Sequence, residues 1–353
     1  MALELAVILG CAIAVSFILG IVFALPRTHS KKTRRLGAGL LIAGGVLSAG
    51  GMAWLVWSVV DFFSNTNFSK GRVLRLRGRA RVARRALGAG WADDAVPEVS
   101  GLTTWQRTVL GEAWMTSARM EHASVPAFAK LSLRLSAMGA PSALLEDCHL
   151  AALDEVRHAR RCFALARAYS GVDWTAGPIP ELEQEGVKPM ATGSEEAWAR
   201  LARGSLLDGC LAEGVASLVA AEGARRAADP VVRETLSVIA EDEARHAELG
   251  WDVLDFALER GAGSAEAGLR RALSELDARS TPSLPPIPGV DEDFLARHGL
   301  LSQAELGHWT RECIQRTRAR ALALLERGGP PLTDDGRGGA SAQIACQGMT
   351  VFR

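Results

Sequence analysis

The phrase Asp154-Glu155-Val156-Arg157-His158-Ala159 recurs as Asp242-Glu243-Ala244-Arg245-His246-Ala247, and each copy has a single glutamate upstream, Glu121 for the first and Glu213 for the second. Residues three apart share a helix face, so each Glu-x-x-His presents one carboxylate and one imidazole in the same direction. Two such pairs and two lone glutamates make a ligand set for two divalent ions. One Glu-x-x-His in a helix rich in Glu and Arg is ordinarily a solvated face. Two copies with matched partners are a different matter, because buried together without metal the carboxylates would repel each other and take up protons. Two divalent ions balance four carboxylates and leave the imidazoles as neutral ligands. Carboxylate with imidazole suits iron and manganese alike, so the donor set does not choose between two Fe ions, two Mn ions and a mixed Mn/Fe pair.

Four helices must position these groups. Thr103 and Gln106 have capping-box spacing, and Leu110, Trp114, Ala118, Glu121, Val125 and Phe128 follow at three- and four-residue steps. The first helix should end near Gly139, with Pro141 opening the second. The second carries Leu145, Cys148, Ala152, Glu155, His158, Cys162 and Leu165 on one stripe and runs to about Tyr169. Residues 170–193 hold three prolines and read as a long crossover. A third helix runs from Ser194 to about Ala227. Asp229-Pro230 then caps and opens a fourth, which ends near Gly261.

Glu121 lies 18 residues before Gly139 and Glu155 16 after it, while Glu213 and Glu243 each lie 15 residues from Ala228. In two antiparallel pairs, equal distance from the turn means equal height. At about 1.5 Å per residue each glutamate pair lies about 22–27 Å from its turn, so all four segments can meet in one layer.

This pattern, over about residues 103–261, resembles the ferritin-like di-iron carboxylate superfamily, whose motif reads E…E-x-x-H…E…E-x-x-H. The resemblance implies an all-α, ferritin-like four-helix bundle with metal ligands at Glu121, Glu155, His158, Glu213, Glu243 and His246. The fuller phrase Asp-Glu-x-Arg-His is similar to that of bacterial multicomponent monooxygenases and ribonucleotide reductase small subunits. It implies that Asp154 supports His246 and Asp242 supports His158, with Arg157 and Arg245 balancing the aspartates. The alternative for the arginines is ordinary pairing on the helix surface. Cys162 stands where the reductases carry a radical tyrosine and the monooxygenases a cysteine. It is thus a candidate catalytic residue, or a small buried core residue. His122, about 100° around the helix from Glu121, should face a neighbouring helix.

Around this core, residues 2–25 and 37–60 are each long and apolar enough to span a bilayer. They read as a transmembrane hairpin, of a bacterial inner-membrane protein on the resemblance. Basic clusters at 27–35 and 70–85 pull its orientation in opposite directions. The second is the larger and points to a cytoplasmic body. The division expected is a hairpin at 1–62, a basic linker at 63–102, the bundle at 103–261, a C-terminal helical extension at 262–328 and a disordered tail at 329–353. Lys+Arg and Asp+Glu are equal at 40 each, so no global field argues for nucleic acid. The six cysteines form no C-x-x-C pair, which argues against a zinc ribbon or rubredoxin module.

The function expected is a membrane-anchored di-iron oxidase or oxygenase that takes O2 and a lipid-soluble substrate, with electrons from an external donor. The competing expectations are ferroxidation or peroxide removal at the same centre, and a non-catalytic metal-binding bundle. The small residues Ala216, Ser217 and Gly250 are expected to leave room for a substrate pocket.

Overall fold

A computed structural model describes residues 71–327 except 77, 89, 183–193 and 278–289. The expected spans at 2–25 and 37–60 and the tail at 329–353 lie outside the described residues. What is described is mostly helical.

Helix α1 covers Thr104–Ala137 and α2 covers Ser142–Ser170. The start of α1 is the capping box: Gln106 N donates to Thr103 Oγ1 at 3.2 Å, and Thr103 N donates to Gln106 Oε1 at 2.9 Å. Its end is set by Gly139, whose φ of +70° turns the chain into α2. Helix α3 covers Glu195–Gly204, and its first turn is capped by Ser194 Oγ, which accepts from Ala197 N at 3.2 Å. The helix continues through a π-helical segment, Ser205–Leu211, into α4, Ala212–Arg226. Helix α5 covers Pro230–Asp277, and Asp229 Oδ1 accepts from Val231 N and Val232 N at 2.8 and 3.0 Å to cap it. Its path breaks at Ala262, between two glycines, which is where the sequence pattern ends the fourth helix. A short helix α6, Glu292–Arg297, escapes the periodicity argument, and α7, Gln303–Arg327, packs on α4 and α5.

Helix α1 packs along α2, and α5 packs along α3, the π segment and α4. The apolar side chains form two separate main cores. One holds Phe128, Leu135, Cys148, Leu206, Leu211 and Leu254. The other holds Leu110, Trp114, Phe163, Tyr169, Ala224 and Val232. The turn near Gly139 lies at the first core and the turn near Ala228 at the second, so the two helix pairs have their turns at opposite ends. Between the cores lies the polar layer described below. Among the described residues, the continuous helix Glu195–Arg226 is long and apolar enough to cross a membrane by length and composition. Here its leucines are spent on the first core, and 56% of its apolar window is buried.

Two loop stretches carry more structure than the sequence suggests. Within the expected basic linker, strand β1 (Arg75–Leu76) pairs antiparallel with β2 (Arg79–Ala80), and Val73, Leu74 and Leu76 are buried against Met120, Ala123 and Ala127 of α1. Strand β3 (Arg85–Leu87) pairs antiparallel with β4 (Trp174–Ala176) in the expected crossover, with Arg85 opposite Ala176 and Leu87 opposite Trp174. Arg85 also binds both oxygens of Glu112, at 2.8 and 2.5 Å. Charge alone reads this stretch as a tether, but Val73, Leu74 and Leu76 bind it to α1.

A methyl group on Gly250 would lie 2.7 Å from Cys210 N and 2.8 Å from Gly209 C, both backbone atoms. Gly250→Ala is therefore expected to lower stability by about 1–3 kcal/mol, read as a drop in the urea midpoint. Gly204→Ala, whose methyl would meet nothing within 4 Å, should leave the midpoint unchanged or raised.

Candidate metal centre

Each helix of the two packed pairs delivers one part of a single layer. Glu121 comes from α1, Glu155 and His158 from α2, Glu213 from the first turn of α4, and Glu243 and His246 from α5. All six are buried, the most exposed being Glu121 at 6%. Their ligand atoms fall into two groups: Glu121, Glu155, His158 and Glu243 in one, and Glu155, Glu213, Glu243 and His246 in the other, with all atoms of a group within 4.8 Å of one another. Glu155 and Glu243 belong to both.

The oxygens of those shared glutamates are divided between the groups. Glu155 turns Oε2 toward His158 Nδ1 at 3.7 Å and Oε1 toward His246 Nδ1 at 3.3 Å. Glu243 turns Oε1 toward His158 Nδ1 at 3.9 Å and Oε2 toward His246 Nδ1 at 3.4 Å. Each thus spans two neighbouring positions, while Glu121 and Glu213 serve one each.

The imidazoles are oriented from behind. His158 Nε2 lies 2.9 Å from Asp242 Oδ2, and His246 Nε2 lies 3.2 Å from Asp154 Oδ2. A carboxylate accepts only, so Nε2 carries a proton and donates, and Nδ1 faces the carboxylates. The aspartates are held in turn by exposed guanidiniums: Arg157 donates to Asp154, and Arg245 donates to Asp242 and, at 3.1 Å, to Asp154 Oδ2. The sequence neighbours in the repeated phrase therefore work between the two helix pairs, from α2 to α5, each aspartate holding the other copy's histidine.

Among the described residues, a group of buried polar atoms at this layer has no hydrogen-bond partner: Glu121 Oε2, both oxygens of Glu155 and Glu213, Glu243 Oε2, and Nδ1 of His158 and His246. Buried polar atoms are rarely left this way. Carboxylate oxygens and imidazole lone pairs converging on two adjacent points are the donor set that carboxylate-bridged divalent ions take, and the residues present fit such a pair.

Without metal, protons do part of that work. Burial, then the charges of Glu155 and Glu243, push the Glu121 carboxyl well above the ordinary carboxylate range. Burial and the charges of Glu243 and Glu155 do the same to Glu213. Burial works against the charged forms of Glu155 and His158, but attraction to the oppositely charged groups facing them wins in both. The two histidines hold Glu155 down at about 2, and Asp242 with Glu155 raises His158 to about 10. His246 is raised well above its usual value as well, its burial outweighed by Glu155 and Glu243.

The remaining sequence candidates fall outside the cluster. Cys162 is fully buried in the second core and contributes to neither ligand group. His122 turns from the layer and meets Trp91 edge-on, with ring centroids 4.6 Å apart. Of the small residues, Ser217 donates Oγ–H to Ala240 O at 2.9 Å and Gly250 lies against the backbone of Gly209 and Cys210, so these two serve close helix packing.

Sequence reasoning misses two residues that cover the layer. Gly71 has φ +60°, and a methyl there would lie 2.5 Å from Glu213 Oε2. Arg72 is buried, with Nε 3.7 Å from Glu213 Oε1 and its guanidinium 5.2 Å from the Phe128 ring centroid. Phe128 in turn packs edge-on against His246 at 5.2 Å. Arg72 stands in a run of arginines, and nothing in its neighbours' types sets it apart. A cavity of about 240 Å³ lies on the outer side of Gly71, lined by Met120, Leu207, Leu211 and Val215 among others.

Compared with protein-family models, with curated proteins and with solved structures, the chain matches none.

Two predictions follow the geometry. Gly71→Ala forces an L side chain into a left-handed backbone and against Glu213, so metal retained after gel filtration should fall by half or more, with helicity unchanged by circular dichroism. The second concerns pH. His158 binds its proton more tightly folded than unfolded, so its contribution is complete below about pH 6.5 and is lost as pH rises through about 10. Glu121, Glu213 and His246 are raised and act in the same sense. Glu155 opposes them only in acid, its contribution being lost as pH falls toward about 2. The melting temperature in chelator should therefore decline from pH 6 to pH 9. Saturating Mn(II), which needs deprotonated ligands, should flatten or reverse that decline. Parallel slopes with and without Mn(II) would place the metal elsewhere.

Proposed function

We propose that the chain is a ferritin-like di-iron protein whose four long helices form a carboxylate-bridged bundle, acting as an oxidase or oxygenase on O2. The observation that carries this reading is the division of the Glu155 and Glu243 oxygens between two ligand groups, each completed by one aspartate-held imidazole. Glu121 with His158 would hold one ion, Glu213 with His246 the other, and Glu155 and Glu243 would bridge them. Two irons, or manganese in one or both positions, would supply one-electron redox steps toward O2 or peroxide.

The residues themselves do three things. Asp154 and Asp242 hold each imidazole by Nε2 and so turn Nδ1 toward the carboxylates, so that binding would displace a proton from Nδ1 without turning the ring. Phe128, the Arg72 stem and the flanking cores exclude bulk water from the layer. The cavity beyond Gly71, where Met120, Leu207, Leu211 and Val215 stand beside Arg75 and Asp208, supports approach of a small reactant from that side. A lipid-soluble substrate delivered from an inner membrane fits the same cavity wall, with the spans at 2–25 and 37–60 as anchor and the body on the cytoplasmic side. Electrons would come from a separate donor.

The cover of Gly71 and Arg72 favours a second reading, in which only small inorganic reactants reach the centre and the protein oxidises ferrous iron or removes peroxide. A bundle that holds its metal for structure alone is the third.

The test is metal content by mass spectrometry on the full-length chain, with optical spectra after Fe(II) and O2. Two irons per chain and an oxo-ferric charge-transfer band are expected, both lost in Glu155→Ala/Glu243→Ala. Absence of stoichiometric metal in the unmutated protein defeats all three readings. Iron that binds but is inert to O2 and peroxide leaves the structural one.

A further inference from the structure

On the face beside Arg72 lies a second cavity, of about 340 Å³, within the size range of small-ligand sites. Its walls come from four places in the chain: the strap 72–75, α1, the end of α3 and the π segment. Into it these elements bring Arg72, Arg75, Lys130, Arg134, Arg200 and Arg203, against the carboxylate of Asp208. We propose that this cavity is a binding site for a phosphate group, carried by a lipid headgroup or by a soluble phosphate ester.

Helix α1 places Lys130 and Arg134 four residues apart, on one face. Helix α3 ends with Arg200 and Arg203 at the same rim. Several of these guanidiniums are held by carboxylates, which fixes where they point. Arg203 binds Glu275 through Nε and Nη2, both at 2.7 Å, Arg200 binds Glu196 at 3.0 Å, and Arg75 lies 3.3 Å from Asp208. A guanidinium has five donors, so an arginine engaged on one edge keeps donors for a second anion on the other. Lys130 Nζ donates to Arg75 O at 3.4 Å, which ties the α1 wall to the strap.

The second observation is Arg72. Its side chain is more than nine-tenths buried and it lines this cavity. Its Nε faces Glu213 and its Nη2 lies at Gly209, and among the described residues neither atom has a hydrogen-bond partner. A guanidinium buried this way is costly without anions nearby. Glu213, at 3.7 Å, is one. A phosphate seated in the cavity that Arg72 lines would be another. Arginine forks match phosphate oxygens in pairs, which favours phosphate over a halide or a lone carboxylate. The remaining walls, Val73, Leu74, Ala127 and Leu131, are apolar and suit the carbon next to an ester oxygen.

This site goes beyond the di-iron reading and does not depend on it, since the binding test uses metal-free protein. Full-length chain in a maltoside detergent is titrated with sn-glycerol 3-phosphate, with dihexanoyl phosphatidylglycerol and with dihexanoyl phosphatidylcholine, followed by calorimetry. Saturable binding of the two anionic probes is expected, weakened about tenfold or more in Lys130→Gln/Arg134→Gln. Arg225→Gln/Arg316→Gln, altered away from the cavity, should bind as the unmutated chain does. Tighter binding of the phosphatidylglycerol by tenfold assigns the phosphate to a lipid headgroup, and equal affinity assigns it to a soluble ester. No saturable binding of either anionic probe overturns the proposal. So does binding that survives Lys130→Gln/Arg134→Gln, or equal binding of phosphatidylcholine. Circular dichroism and melting of both double variants separate lost binding from lost folding.

Discussion

Four carboxylates and two imidazoles share one buried layer, and the rest of the molecule is arranged around the cost of that layer. An isolated carboxylate moved into a protein interior costs several kcal/mol even after relaxation. The structure meets this with chains of opposite charge that lead from solvent to the centre: Arg157 and Arg245 at the surface, Asp154 and Asp242 beneath them, then the two imidazoles. Each link satisfies the one before it. The innermost atoms, the carboxylate oxygens and the two Nδ1 positions, are left without partners, and only cations or protons can complete them.

The layer also dictates the length of the helices. It divides the apolar interior into two cores, and each hairpin must pass through it to reach packing on both sides. Neither core alone would hold the ligand-bearing turns at a common height. With the hairpin turns at opposite ends, the ligand positions come from the middles of the helices, where the backbone is best constrained. The π segment just before Glu213 adds a wide turn, and such turns recur at functional sites because they re-aim the residues that follow. Its Gly209 lies against Gly250 of α5, and with side chains at both positions the helices would have to separate.

The cover of the layer comes from outside the helices. Residues 71–76 run over Glu213 and pin themselves to α1 through Val73, Leu74 and Leu76. Gly71 allows the backbone to come against a carboxylate, and Arg72 places a fixed positive charge there. The strap therefore forms a wall of the layer and of the two cavities on its outer side.

The helices and ligand residues were legible in the sequence because both rest on local spacing. The capping box at Thr103, the turn at Gly139 and the Asp229-Pro230 start follow from backbone rules that act within four residues. Glu155-x-x-His158 and Glu243-x-x-His246 follow from the helical period in the same way. Their meeting was legible because equal distances from two turns imply equal height. The strap was not, since charge dominates residues 70–85 and conceals the short apolar cluster of Val73, Leu74 and Leu76. Nor was the role of the small residues, because Gly250 looks the same whether it opens a pocket or admits a backbone. By itself, then, the sequence determined which side chains share a helix face and how far along each helix they lie. Only the tertiary structure decided which carboxylates are shared between the two groups, which aspartate holds which histidine, and that Gly71 and Arg72 cover the site. Those depend on contacts between residues as much as 142 positions apart, which no local period encodes.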